Sequence, residues 1–295
     1  MILRAHAKIN LGLAVLDERP DGYHDISTVM QSIGLYDELR ISLAGNGEGD
    51  KITLTCSEPS LPTDEHNLAY RGAALLMQKA GVSPGVSIHI QKGIPMEAGM
   101  AGGSADGAAA LVGVNELLHL GLSREELCRV GVRLGADVPF CLVGGAMLCE
   151  GIGEVMTPVP SLPPCTILVV KPADRVSTGE AYRGLGPYEA REHLDMAPVL
   201  RALQEGDLPG LGRSMANSFE PGVCRAHPVV AEILSALSSL GAEAARMSGS
   251  GPTVFGLFAA REQAEAALSQ IRSRFPEAFT VLTSPAGAGI LISDP

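Results

Sequence analysis

The segment Ile94-Pro95-Met96-Glu97-Ala98-Gly99-Met100-Ala101-Gly102-Gly103-Ser104-Ala105-Asp106 constrains this chain more than any other. An apolar alternation over 86–91 precedes it and reads as a strand. An alanine-rich stretch follows, in which Leu111, Val114 and Leu118 share a helical face, with Ser104 near the helix start. Glycines between a strand and a helix let the backbone approach a ligand closely and take positive φ. The free N–H groups and the dipole at the helix start favour an anion there. A tight turn feeding a close-packed helix would use the same residues, so a phosphate cradle is one of two readings. No G-x-x-x-x-G-K-[ST] sequence occurs, and the Rossmann glycine spacing is absent, so this is neither of those nucleotide loops.

Two further segments have the same two-sided character. Asp137 in Gly135-Ala136-Asp137-Val138-Pro139-Phe140 is either a cap or turn residue or a working carboxylate. Ser248-Gly249-Ser250-Gly251 is either a plain glycine hairpin or part of a site. Near the start, Ile9, Leu11, Leu13 and Val15 alternate with Lys8, Asn10, Gly12 and Ala14, which predicts a half-buried strand. Lys8 and Asn10 then share a face, roughly 7 Å apart. Phosphoryl transfer needs positioning and charge stabilisation more than covalent chemistry, and Asp137 and Lys8 are residue types that could supply both.

The rest of the chain supplies the frame. Arg19-Pro20-Asp21-Gly22 reads as a turn leading to Tyr23-His24, and 38–43 and 51–56 read as strands. Asn67 caps a helix carrying Leu68, Leu75 and Leu76. Ser123 to Glu126 form a capping box, continued by Leu127, Val130 and Leu134. A proline-rich stretch over 158–164 marks the candidate boundary. Beyond it come a strand at 166–171 and a helix starting at Pro228 and stopping at Gly241. Strands at 243–247 and 253–258, a helix at 262–272 and a strand at 279–282 complete an α+β pattern.

Composition narrows the function classes. With 295 residues, 46% of them apolar, the chain can build one large domain or two fused smaller ones. No apolar run approaches the ~20 residues of a spanning helix, and no secretory pattern opens the chain, so a cytoplasmic protein without membrane contact is expected. The six scattered cysteines predict reduced thiols, and the histidine spacing offers no zinc site. A net charge of −11 argues against a nucleic-acid partner, while leaving room for phosphates held by backbone N–H groups.

The Pro95–Asp106 segment resembles the second motif of the GHMP kinases. Ala7-Lys8-Ile9-Asn10-Leu11 resembles their first motif and Ser248-Gly249-Ser250-Gly251 their third, in the family's order and spanning nearly the whole chain. Asp21-Gly22-Tyr23-His24, 134–140 and Val176-Ser177-Thr178 followed by Tyr182 are similar to a branch whose acceptor carries a cytidine diphosphate.

The resemblance implies a two-domain α+β fold. Residues 1–156 would form an ATP-binding and substrate-contacting α/β domain, and 157–295 a ferredoxin-like domain closing the cleft. It implies Asp137 as catalytic base and Lys8 as its cationic neighbour. Pro95, Gly99, Gly102, Gly103 and Ser104 would hold the phosphates of ATP, with Asn67 and Lys92 also meeting the nucleotide. Asn10 would lie near the reacting end of the acceptor. Tyr23 and Tyr182 would wall the cytosine, His24 would bond its edge, and Thr178 would lie in the same wall. Mg²⁺ should bridge the nucleotide phosphates, with its protein ligands unassigned. The partner is then a small cytidyl-diphosphate molecule; oligomeric state stays open, with a monomer as the working form. Glu97 and Ala98 depart from the more glycine-rich loops of some relatives, and Asp106 stands where some carry a neutral residue. The alternatives are a homoserine- or mevalonate-type kinase of the same family, whose acceptors have no base to stack on tyrosines, and a non-catalytic nucleotide-binding regulator.

Overall fold

A computed structural model of the chain describes residues 1–20, 22–44, 51–81, 85–186 and 194–293. The turn residue Asp21 lies outside these. Two long antiparallel strands, β1 (Ile2–Glu18) and β2 (His24–Leu43), form the spine. Sequence periodicity reveals only part of each. Between 24 and 37 the alternation is hidden because Thr28, Gln31 and Ser32 are fully buried, so polar residues occupy interior positions.

The first sheet continues with β3 (Ile52–Cys56) and β4 (Val86–Gln91), which pair in parallel, and with β5 (Ala146–Gly151) and β6 (Val155–Pro158). β2 pairs with β4 along 38–43 and with β5 along 26–31. Four helices pack with this sheet: α1 (Leu68–Ala80), α2 (Gly102–Leu117), α3 (Arg124–Gly131) and α4 (Val138–Val143). Asn67 caps α1 by accepting from the Ala69 N–H, and the Ser123–Glu126 capping box opens α3, both as expected.

β7 (Thr166–Lys171) opens the second sheet. The helices α5 (Thr178–Arg183), α6 (Ala197–Glu205), α7 (Leu208–Ser214), α8 (Glu220–Ala226) and α9 (Pro228–Ser239) follow. Then come β8 (Ala244–Met247), β9 (Val254–Phe258), α10 (Arg261–Arg274) and β10 (Phe279–Thr283). α6, α7 and α8 escape sequence reading because each is short and carries proline. In each the proline sits in the first turn, where it starts a helix instead of breaking one. The sheet order β10-β7-β9-β8, antiparallel throughout, is the ferredoxin-like arrangement.

The two sheets share a core. Along β7, Ile167 and Val169 face the cluster that contains Leu3, Ile9 and Leu111, while Leu168 and Val170 face the cluster of Phe219, Ile233 and Ile271. The chain then returns: β11 (Ile290–Ser293) pairs antiparallel with β1 at the edge of the first sheet. Among the described residues no helix is long and apolar enough to cross a membrane, and all six cysteines are free thiols.

Candidate active site

Three separated segments meet at one buried ammonium group. Lys8 lies on β1, and the pairing of β1 with β2 is irregular both between His6 and Lys8 and between Asn10 and Gly12. Such bulges re-aim side chains locally. Lys8 is only 4% exposed; its Nζ donates to Asn10 Oδ1 at 2.6 Å and to the Gly99 carbonyl at 3.1 Å. Ser248 Oγ donates to the same Gly99 carbonyl at 2.9 Å, and lies 3.5 Å from Asn10 Oδ1. Asn10 in turn donates to Thr28 Oγ1 at 2.9 Å, so both ends of its amide are held.

Gly99 explains why this junction requires glycine. Its φ is +67°, and a Cβ there would stand 2.1 Å from the Ser248 carbonyl. The second and third glycine segments therefore touch backbone to backbone. Asn217, which sequence reasoning overlooked, ties the third segment down by donating to the Met247 and Gly249 carbonyls at 2.8 and 2.9 Å.

Beside this junction the loop opens on a cavity of about 530 Å³, with Asn67, Lys92, Pro95, Gly102, Gly103 and Ser104 among its lining residues. α2 begins there after Ala101, whose φ is +59°, with no side-chain cap on its first N–H groups. Uncapped N–H groups facing a cavity suit an anion. A Cβ on Gly103 would meet only Leu68 Cδ1 at 3.7 Å, so the bareness of this position leaves space on the cavity side.

Two expected nucleotide residues also have structural partners. Asn67 uses its Oδ1 to cap α1 and its Nδ2 to reach the Pro62 carbonyl. Lys92 Nζ bonds Asp37 Oδ2 at 2.5 Å and Asp106 Oδ2 at 2.8 Å, with all three side chains at most 10% exposed. Asp37 Oδ1 accepts from the Gly93 and Ile94 N–H groups, whereas Asp106 Oδ1 is buried with no partner. Burial, followed by the neighbouring Asp37 charge, holds the Asp106 carboxyl well above the usual carboxylate range. Asp37 gives no sequence signal, because an acid beside Glu38 inside a strand pattern reads as surface.

Asp137 stands at the start of α4, half-buried, and its side chain makes no capping hydrogen bond to that helix. The capping explanation for this carboxylate is thereby removed. Asp137 and Lys8 act on common neighbours. Burial pushes the Cys149 thiol up to about 12, the Asp137 charge adds to the rise, and Lys8 opposes it. Neither Lys8 nor Asp137 lines the large cavity; Lys8 bonds the carbonyl of Gly99, next in sequence to the lining residue Ala98.

A third cluster brings aromatic rings together. Tyr182 on α5 lies 4.8 Å from the His24 ring, tilted by 35°, and 4.9 Å from Phe219 in an edge-on contact. Phe219 is the buried backing of this stack and was not anticipated from sequence. Burial raises the Tyr182 hydroxyl, and the Asp137 charge adds to the rise, so the aromatic cluster and the carboxylate share one field. Thr178 faces Ser250, hydroxyl to hydroxyl, at 3.4 Å. Tyr23, the residue before His24, is 58% exposed.

Residues 67–145 match the GHMP kinases N terminal domain, and residues 199–277 match the GHMP kinases C terminal domain. The chain is 42% identical over 283 residues to a 4-diphosphocytidyl-2-C-methyl-D-erythritol kinase of Caldicellulosiruptor saccharolyticus, covering 96% of this chain and 97% of that protein. It is 44% identical over 286 residues to the enzyme of the same name from Moorella thermoacetica, covering 96% and 99%. A crystal structure of a 4-(cytidine 5'-diphospho)-2C-methyl-D-erythritol kinase superposes with a TM-score of 0.80 at 33% identity, covering 97% of this chain and all of that one. A homoserine kinase from Cytophaga hutchinsonii gives the same TM-score at 21% identity, covering 99% and 96%, a likeness of fold.

Proposed function

Since the chain belongs to the GHMP kinases, and within them to the 4-diphosphocytidyl-2-C-methyl-D-erythritol kinases, we propose that it works as that kinase through the constellation built around Lys8. The reaction moves the γ-phosphoryl group of ATP onto the 2-hydroxyl of 4-diphosphocytidyl-2-C-methyl-D-erythritol, a step of the non-mevalonate route to isoprenoid precursors. The observation that carries the assignment of roles is the position of the Lys8 ammonium. It sits where the phosphate loop, the third glycine segment and the Asn10 amide meet.

In this reading the α2 N-terminus and the Gly99–Ser104 backbone cradle the triphosphate. Asn10 and the Gly99 carbonyl fix Lys8 so that its charge can offset the charge building on the transferred group. Asp137, free of a capping role, orients the acceptor hydroxyl and accepts its proton. His24, Tyr182 and Thr178 receive the cytosine end, with Phe219 behind and Tyr23 at the open side. The carboxylates that line the large cavity, Asp106 and Glu97, each have a cationic partner already, Lys92 and Arg175. Asp106 is buried against Lys92, and Mg²⁺ is proposed to enter on the nucleotide phosphates. We place the protein in the cytoplasm, acting on a small molecule and not on nucleic acid.

Two measurements test the roles. Asp137→Asn should lower kcat by on the order of 10²-fold or more with little change in ATP affinity. A folded variant with near-normal kcat would remove Asp137 from the chemistry. Tyr182→Ala should weaken the acceptor interaction by roughly 5- to 150-fold, mainly in KM. Wild-type kcat/KM should favour the cytidyl acceptor over its uridyl analogue; equal values would discard the cytosine pocket while keeping the kinase.

A further inference from the structure

The nucleotide cavity carries a cation that the roles above leave unused. Arg175 lies between β7 and α5, in the C-terminal half, and lines the same cavity as the start of α2. Its Nε is 3.8 Å from Glu97 Oε2, with the two side chains 70% and 52% exposed. Glu97 itself sits in the phosphate loop with φ +48°, a conformation rare for a non-glycine residue. A carboxylate placed there would repel incoming phosphates unless something neutralises it.

The other cations nearby are committed. Lys92 is buried between Asp37 and Asp106. Lys171 donates to the Pro172 and Asp174 carbonyls. Arg175, by contrast, meets Glu97 at 3.8 Å with both side chains exposed, and a pair of that kind is weak. Its guanidinium can therefore leave Glu97 at little cost. A planar guanidinium also matches phosphate oxygens two at a time, which an ammonium cannot do.

We propose that Arg175 is a phosphate-binding residue of the nucleotide site, parked on Glu97 when the site is empty and transferred to the polyphosphate when ATP enters. This deepens the kinase reading and rests on it. It also resolves the oddity of an acid in the loop: Glu97 keeps the arginine at the cavity mouth until the stronger anion arrives. The arm comes from the ferredoxin-like half, so nucleotide binding would draw the two halves onto one ligand.

The test is calorimetric binding of ATP, ADP and AMP, plus steady-state kinetics, for wild type, Arg175→Ala, Arg175→Lys, Glu97→Gln, Glu97→Gln/Arg175→Ala and Gly103→Val. Arg175→Ala should weaken ATP about tenfold, ADP less and AMP least, and leave the acceptor KM in place. Arg175→Lys should recover only part of the loss. The decisive arm is the Glu97→Gln background. If Arg175 binds phosphate, its removal there still weakens ATP several-fold. If removal there costs nothing, Arg175 merely neutralises Glu97 and the proposal falls. Unchanged ATP affinity in Arg175→Ala, with affinity lost in Gly103→Val, overturns Arg175 alone. Unchanged affinity in both overturns the nucleotide site as well.

Discussion

At the scale of single residues, the site is built from side chains whose polar atoms are nearly all assigned. Lys8 and Asn10 illustrate one kind: buried, mutually bonded and pointed at a backbone carbonyl. Lys92 illustrates another, an ammonium shared by two buried carboxylates. Two anions and one cation away from water favour retaining a proton, and Asp106 is the group whose second oxygen lacks a partner. Removing the cation should be far worse than neutralising the acid. Lys92→Met is expected to destabilise by about 3–5 kcal/mol, because it strands buried charge. Asp106→Asn, which resembles the protonated acid in shape, should cost much less; urea unfolding of both variants checks the order. The sign with pH follows from the raised carboxyl. From about pH 4 upward the folded state holds a proton that the unfolded state releases, so the stabilisation fades as pH climbs through the folded value. The stability difference between wild type and Asp106→Asn should therefore shift against wild type as pH rises. A pH-independent difference would mean that Asp106 is ionised throughout.

At the scale of elements, the proposed acceptor pocket leans most on the short helix α5. It carries both Thr178 and Tyr182 and is capped by Ser177, which accepts from the Glu180 N–H. A six-residue helix has little intrinsic stability, so its position depends on what packs against it. His227, at the start of α9, supplies a polar clasp. Its Nδ1 lies 2.8 Å from Asp174 Oδ2 and its Nε2 3.5 Å from Glu180 Oε1. The Asp174 hydrogen bond is the main cause of a raised imidazole pKa, with burial opposing and Glu180 helping. A raised pKa stabilises fully below about pH 6.5 and loses that stabilisation as pH rises through the folded value. His227→Gln should lower Tm more at pH 6 than at pH 8.5, and should raise acceptor KM more than ATP KM. A Tm deficit that does not depend on pH would show that His227 acts by packing alone. Asp174 and Glu180 are partly exposed, so added salt should also shrink the effect.

At the scale of the whole molecule, the two sheets cannot be treated as separable. One face of β7 and β9 completes the core under the first sheet, and β11 returns to cover the edge of β1, the strand that carries Lys8. A fragment ending at residue 156 would expose that edge and the apolar surface that meets Ile167, Val169, Phe255 and Leu257. It is expected to aggregate or to melt without cooperativity in a thermal scan; a sharp transition near the full-length Tm would contradict the shared core. Much of this organisation was legible from the chain alone. Glycine segments mark where backbones must come close, caps at Asn67 and Ser123 mark helix starts, and the short apolar runs at 166–171 and 253–258 mark strands, because these signals depend on neighbours in sequence. The middle of β2 and the helices between 197 and 226 were not legible, since buried polar residues and first-turn prolines invert the usual local signals. The same division holds at the site. Residue types and motif order pointed to Lys8, Asp137, Tyr182 and the glycine loop, because chemistry restricts which side chains can serve. The Asp37–Lys92–Asp106 group, the Asn217 brace, the Phe219 backing and the Glu97–Arg175 pair were decided only by tertiary structure. Each joins positions between 14 and 78 residues apart, and electrostatic and packing partners across such distances leave no periodic trace in the sequence.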